Sequence, residues 1–109
     1  MTENLFAALR TREQLTAERV PMGDLRVGDI IYLGGVEVLG DGTLRGFGDI
    51  LAVHRVARTG PGVLAEEAAT HRSVTVTANV LDASGAEAKP LVGIGSAQVA
   101  IVARRHLQG

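Results

Sequence analysis

Residues 72–81 carry the most regular hydrophobic pattern of the chain, because apolar and polar positions alternate along the whole run. The apolar positions are Val74, Val76, Ala78 and Val80, and the polar positions are Ser73, Thr75, Thr77 and Asn79. A period of two places the two sets on opposite faces of a β-strand. We therefore predict a strand over Arg72–Leu81, with one face in the core and the other toward water or a partner.

Two further segments near the C-terminus differ in the kind of strand that they predict. Ala97–Arg104 is apolar at both odd and even positions, which is typical of a central strand that is buried on both faces. Ala86–Ser96 contains Pro90 and two glycines. Because proline cannot donate a hydrogen bond to a neighbouring strand, this segment is expected to be an edge strand or a loop.

The other predicted strands are short apolar runs bounded by glycine or proline. They are Leu15–Val20, Asp29–Leu33, Val36–Leu39, Thr43–Arg45 and Asp49–Arg58. Gly40-Asp41-Gly42 favours a hairpin between two of them, because an Asp-Gly pair readily adopts a positive φ. Five to seven short strands separated by turns predict a mainly β chain that forms a small barrel or sandwich.

A short amphipathic helix is predicted at the N-terminus, over residues 2–13. Leu5, Phe6 and Leu9 fall on one face of it, and Thr2 is a suitable N-cap. A helix of this length is marginal alone, so its apolar face must pack on the domain itself or on a neighbouring subunit. We predict Leu5, Phe6 and Leu9 as partner-interface residues. The helix formers within residues 63–71 are compatible with either a short helix or a loop.

Composition supports one domain over residues 1–109, with the N-terminal helix followed by a β-barrel over residues 15–105. The chain has no cysteine, which excludes disulfides and thiolate chemistry, and its 46% hydrophobic content includes only three aromatic residues. Its net charge is −1, divided into −3 for residues 1–54 and +2 for residues 55–109. The N-terminus lacks the basic and apolar regions of a signal peptide, so we expect a cytoplasmic or virion location and no membrane association.

Four Gly-Asp dipeptides are the most conspicuous short motif, at Gly23-Asp24, Gly28-Asp29, Gly40-Asp41 and Gly48-Asp49. Four carboxylates could in principle bind Ca²⁺ or Mg²⁺, but the spacing matches neither an EF-hand loop nor a Gly-rich nonapeptide repeat. The favoured interpretation is structural. Glycine supplies a positive φ, and the aspartate binds neighbouring backbone N–H groups as a strand begins.

No motif in the chain predicts catalysis. Gly35–Gly40 has the glycine spacing of a phosphate-binding loop, but Asp41 and Gly42 stand where Lys and Ser/Thr are needed. The three histidines, His54, His71 and His106, lack the close spacing of metal ligands. We therefore predict a non-enzymatic protein without catalytic residues, cofactor or metal site, and we interpret the histidines as structural.

The one basic grouping consists of arginines at the ends of predicted strands. They are Arg55, Arg58, Arg72, Arg104 and Arg105. If adjacent strands bring them together, they would form a surface for nucleic-acid phosphates. The alternative is that they are solvated strand ends, which the scarcity of aromatic residues for base stacking favours.

The run Asp24–Gly35, with Leu25-Arg26-Val27-Gly28-Asp29 followed by an apolar strand, resembles the beginning of small SH3-like β-barrels. Such barrels occur in short proteins of actinobacteria and their phages, including phage head-to-tail connectors, where proline usually stands at the position of Val27. The resemblance covers about twelve residues and implies an SH3-like fold.

These observations together predict a non-catalytic structural or assembly protein that packs into a homo-oligomer or a larger particle. The resemblance makes a phage virion component its most concrete form. The first alternative is a nucleic-acid-binding accessory protein that uses the arginine grouping. The second alternative is a small inhibitor or modulator of a host protein.

Overall fold

The structure, a computed structural model, describes residues 16–60 and 69–106, which form eight strands. The strands are β1 (Ala17–Pro21), β2 (Ile30–Tyr32), β3 (Val36–Val38), β4 (Leu44–Gly46), β5 (Ile50–Thr59), β6 (Thr75–Leu81), β7 (Leu91–Ile94) and β8 (Gln98–Val102). Six of them form one antiparallel sheet in the order β1-β8-β2-β5-β6-β7, and β3 pairs with β4. The prediction of a mainly β chain is confirmed.

The last strand lies in the middle of the sheet, as its apolar pattern predicts. β8 pairs with β1 on one side and with β2 on the other, so that Ile101 lies opposite both Glu18 and Ile31. Ile101 and Val102 point to opposite faces of the sheet, and both are 0% exposed. When a strand is covered on both faces, the side chains of both its odd and its even positions are removed from water. Apolar residues are therefore favoured at both kinds of position, which explains the apolar sequence of β8.

β6 confirms the prediction made from its alternating pattern. Its inward residues Val76, Ala78 and Val80, together with Val74 just before the strand, are all fully buried, whereas Thr75 on the other face is exposed. β7 pairs with β6 at the end of the sheet, so Ala86–Ser96 does contain an edge strand. With this edge strand, the described residues contain eight strands, one more than the upper limit of the predicted five to seven.

The sheet is strongly curved, because β7 and β8 follow each other closely in sequence but occupy distant places in the strand order. The link between them is held by the 3₁₀ turn Met22–Asp24 that follows β1. Met22 N–H donates to the Ala97 carbonyl at 2.8 Å, and Gly23 N–H donates to the Gly95 carbonyl at 3.0 Å. Within residues 16–60 and 69–106, however, no ladder closes the sheet into a barrel.

The predicted helix over residues 2–13 lies outside the described residues, as does most of the segment 63–71. Only residues 69–70 of that second segment are described as regular structure, with 3₁₀ geometry. The described parts of the chain contain no α-helix.

Buried apolar side chains form a cluster on each face of the sheet. The larger cluster lies on one face, with Leu25, Ile31 and Ile101 among its most buried members. A smaller cluster on the opposite face consists of Ile30, Ile50, Ala52 and Val102, with Tyr32 and Ala83 packed against it. The two clusters follow from the register, since Ile30 and Ile31 point in opposite directions from β2.

The hairpin β3–β4 forms an arm, which we define as residues 34–48. It extends the β2–β5 pair but bends away from it, so that β4 lies against β1 and β8. Gly35 and Gly48, at the bend, have φ values of +92° and +85°, which other residues rarely adopt. Gly46 lies so close to the Tyr32 ring that a Cβ atom would overlap it. The glycines therefore allow the arm to fold back over the small apolar cluster.

Candidate functional site: the arm surface and the arginine-bound turn

Arg104 is held in a partly buried ion-pair network. Its Nε and Nη2 donate to the two carboxylate oxygens of Asp29 at 3.0 and 2.8 Å, and its Nη1 donates to Asp24 Oδ2 at 2.9 Å. The side chains of Arg104 and Asp29 are 18% and 4% exposed. The hydrogen bond to Asp29 is the main reason why the pKa of Arg104 is raised above its ordinary value, although burial opposes the increase. Arg104 therefore stays charged in the folded protein.

Arg58 reaches the same turn from β5. Its Nε donates to the Gly23 carbonyl at 2.9 Å, and its Nη2 donates to the Leu25 carbonyl at 2.8 Å. Arg104 Nη2 donates to the carbonyl between them, that of Asp24, at 2.6 Å. Two arginines thus satisfy three consecutive carbonyls, and this turn is fixed from both sides.

The other three arginines of the grouping do not join this network. Arg55 is exposed on β5, and Arg72 is exposed before β6. Arg105 is also exposed, and its Nη2 donates to Thr16 Oγ1 at 2.9 Å. The structure therefore brings Arg58 and Arg104 together, but around a backbone turn that uses their donors.

The structural interpretation of the Gly-Asp dipeptides is partly correct. Gly28 and Gly48 do have positive φ, and Asp29 Oδ2 accepts from Arg26 N–H at 2.9 Å as β2 is about to begin. Gly23 needs no positive φ, and is required instead because a Cβ would overlap the Ala69 carbonyl. In the described residues, no three His, Asp or Glu side chains are grouped so that they could hold a metal ion.

The histidines lie at separate places and make local contacts. His106 Nε2 lies 3.0 Å from Thr16 Oγ1, and His71 Nδ1 lies 2.9 Å from Ser73 Oγ. His54 occupies a bulge in β5, where the register with β6 shifts between Val53 and Arg55, and its Nε2 lies 3.8 Å from Glu87. No two of these histidines share a contact among the described residues.

The arm and its base expose large apolar side chains. Leu33 is 52% exposed, Val38 66%, Leu39 39% and Phe47 47%. They make up four of the seven exposed large hydrophobic residues in the described part of the chain. We call these four residues the arm surface. Sequence analysis missed it, although an isolated pair of three-residue strands is too small to bury its own apolar residues.

An open cavity of about 370 Å³ adjoins the arm surface, with Leu33 in its wall. Residues 49–51 form one side of it, and residues 82–84 form the other. Asp82 Oδ1 accepts from Ser84 Oγ at 2.5 Å and from Ser84 N–H at 2.8 Å. These two hydrogen bonds lower the pKa of Asp82, so its carboxylate is charged at neutral pH.

Comparison of the chain with protein-family models, with curated proteins and with solved structures found no match. The resemblance to SH3-like barrels therefore stays a prediction. No described helix has the length and hydrophobicity needed to cross a membrane.

Leu5, Phe6 and Leu9, the predicted partner-interface residues, lie outside the described residues. The arm surface is the described feature with the character of a protein interface. It is apolar and lies on a bent hairpin and its base, next to a cavity. The donors of Arg58 and Arg104, in contrast, already form hydrogen bonds within the domain.

Proposed function

We propose that the chain is a non-catalytic assembly protein that uses the arm surface to pack against a second copy of itself or against another protein of a larger particle. The observation that carries this proposal is the exposure of Val38, Leu39 and Phe47 on one bent hairpin and of Leu33 at its base. Grouped apolar side chains on a solvent-exposed surface are typical of interaction sites. Their contact with water is unfavourable, and a bound partner shields them from it.

Two further observations support assembly over nucleic-acid binding. Arg58 and Arg104 already donate to backbone carbonyls and carboxylates, which leaves fewer donors for phosphates. The net charge of −1 also lacks the basic excess expected of a nucleic-acid-binding domain.

For the fold, we propose an open form of the small SH3-like barrel. Support comes from the position of β8 between β1 and β2, and from the hydrogen bonds that join Met22 and Gly23 to the β7–β8 link. The resemblance of residues 24–35 to such barrels makes a phage virion component the most concrete form of the proposed assembly protein.

Sedimentation velocity over a range of protein concentrations tests the assembly proposal. We expect the wild-type chain to self-associate, or to co-sediment with other proteins of its particle, and we expect F47S and V38S to weaken that association at least tenfold. V92S is the matched control, because Val92 on β7 is as exposed as Val38, at 66%, but lies outside the arm. A wild-type chain that stays a compact monomer at high concentration and binds no other particle protein would overturn the proposal.

A further inference from the structure

The cavity beside the arm surface combines an apolar wall with two acidic side chains. Leu33 belongs to both the arm surface and the cavity, and the buried residues Ile50 and Leu51 also line the cavity. Asp49 and Asp82 are the charged residues of its lining, which contains no lysine or arginine among the described residues. The cavity is therefore a place where a cation would be attracted and an anion repelled.

The Asp82 carboxylate is held in a fixed orientation at this cavity. Its Oδ1 accepts three hydrogen bonds, from Ser84 N–H, Ser84 Oγ and, at 3.1 Å, Ala86 N–H. Oδ2 takes part in none of these three bonds. A carboxylate that is anchored through one oxygen loses little side-chain freedom when its other oxygen accepts a hydrogen bond from a ligand.

We propose that the arm surface and this cavity bind one continuous protein segment in which a single arginine or lysine stands among apolar residues. The inference rests on the proposed assembly function and specifies the chemistry of the partner. The apolar residues of the segment pack on Leu33 and Phe47, and the stem of the basic residue lies along Leu33 and Ala83. Its cationic head pairs with Asp82 and Asp49. A long basic side chain suits such a place because its stem is apolar and its end is charged.

Charge complementarity selects this occupant. An uncharged apolar segment would cover Leu33 and Phe47 but would separate Asp49 and Asp82 from water without pairing them, which is unfavourable. An acidic segment would add repulsion from the same two carboxylates. A basic residue pairs with these carboxylates, so that neither the unpaired burial nor the repulsion arises. The pairing also fixes the register of the segment along the arm.

Titration of the ¹⁵N-labelled chain with the tripeptide acetyl-Leu-Arg-Leu-amide, followed by NMR, tests the proposal. We expect amide shifts at residues 33, 49–51 and 82–84. The same titration with acetyl-Leu-Glu-Leu-amide should give binding at least tenfold weaker. D82N and D49N should each weaken binding of the arginine peptide about threefold, in line with a partly exposed ion pair.

Asp41 provides a matched control for Asp82. Its Oδ1 accepts from Thr43 N–H at 3.0 Å and from Thr43 Oγ1 at 2.6 Å, which repeats the local bonding of Asp82, but it lies at the turn between β3 and β4. D41N should therefore leave binding of the arginine peptide unchanged. Equal binding of the two peptides, or equal effects of D41N and D82N, would overturn the inference.

The two proposals fail in different ways. If F47S weakens sedimentation-detected assembly while the arginine and glutamate peptides bind equally, the assembly function stands and the basic partner is wrong. If the wild-type chain neither self-associates nor binds other particle proteins, the assembly function fails, whatever the peptides show.

Discussion

Arg104 and Asp29, which are 75 residues apart in sequence, face each other as a bidentate pair with both hydrogen bonds at 3.0 Å or less. Asp29 stands directly before β2, and Arg104 stands two residues after β8. The pair therefore joins the ends of two adjacent strands in the middle of the sheet. It also gives the 4% exposed Asp29 carboxylate the compensating charge that its burial requires.

Substitution of Arg104 should strongly destabilise the fold. R104A leaves the Asp29 carboxylate buried without its partner, and we expect it to lower the free energy of unfolding by about 3 kcal/mol in urea denaturation. R104K keeps the charge but cannot form the forked pair, so its loss should be roughly 1.5 kcal/mol. R105A, at the exposed neighbouring arginine, should stay within about 0.5 kcal/mol of wild type. Equal losses for R104A and R105A would contradict the structural role of the pair.

Arg58 and Arg55 should behave differently although both lie on β5. R58A removes the donors for the Gly23 and Leu25 carbonyls, and we expect a loss of about 2 kcal/mol in the free energy of unfolding. R55A removes an exposed side chain, and its effect should stay within about 0.5 kcal/mol. Urea denaturation of both variants measures the difference, and a neutral R58A would show that the turn does not need its arginine.

A methyl group at position 46 should displace the arm. The Cβ of G46A would overlap the Tyr32 ring, so the arm has to move outward, and we expect a loss of about 2 kcal/mol in stability. Tyr32 is the only tyrosine in a chain without tryptophan, so the change in tyrosine fluorescence and in its quenching by acrylamide reports this site alone. G40A is the control, because nothing lies within 4 Å of a Cβ built at that glycine. Unchanged quenching in G46A would show that the arm does not cover Tyr32.

Tyr32 should also make the protein sensitive to alkaline pH. Burial raises the pKa of its phenol above the ordinary value of 10.0, because the charged phenolate is poorly solvated there. The folded state then holds this proton more tightly than the unfolded state. The stability that results is fully present below pH 10 and is lost as the pH rises through the pKa of the folded state.

Absorbance of the phenolate near 295 nm measures this titration directly, since the chain has a single tyrosine. We expect a midpoint above that of free N-acetyltyrosinamide in the same buffer. We also expect the Y32F variant to lose this part of the alkaline decline in stability. A midpoint at or below that of the free amide would show that the ring is more hydrated than its position under the arm implies.

Local patterns predicted the strands well, because each pattern reports the burial of its own residues. The alternation at Val74–Val80 and the double-sided apolar run of β8 both correspond to what the sheet buries. Pro90 and the two glycines predicted an edge strand or a loop over Ala86–Ser96, because glycine and proline weaken the strand signal. The pairing of β7 with β6 was not predicted.

The partners of the charged residues could not be predicted in this way. Arg58 and Arg104 look like solvated strand ends in the sequence, and their acceptors include main-chain carbonyls, which leave no mark in any side-chain pattern. Asp29 was expected to bind nearby backbone, and it does so through Arg26 N–H, but its second partner comes from the far end of the chain. The bend of the arm likewise depends on a contact between Gly46 and Tyr32, which no local pattern encodes.

The place of β8 between β1 and β2 has a consequence for how the protein is made. Among the described strands, the ladder partner of β1 is β8, which is the last strand to be synthesised. During translation, β1 has to wait until β8 has left the ribosome, whereas β5 and β6 can pair earlier. A nascent chain stalled before residue 98 should therefore expose the unpaired edge of β2 to chaperones, and release of β8 should complete the sheet in one step.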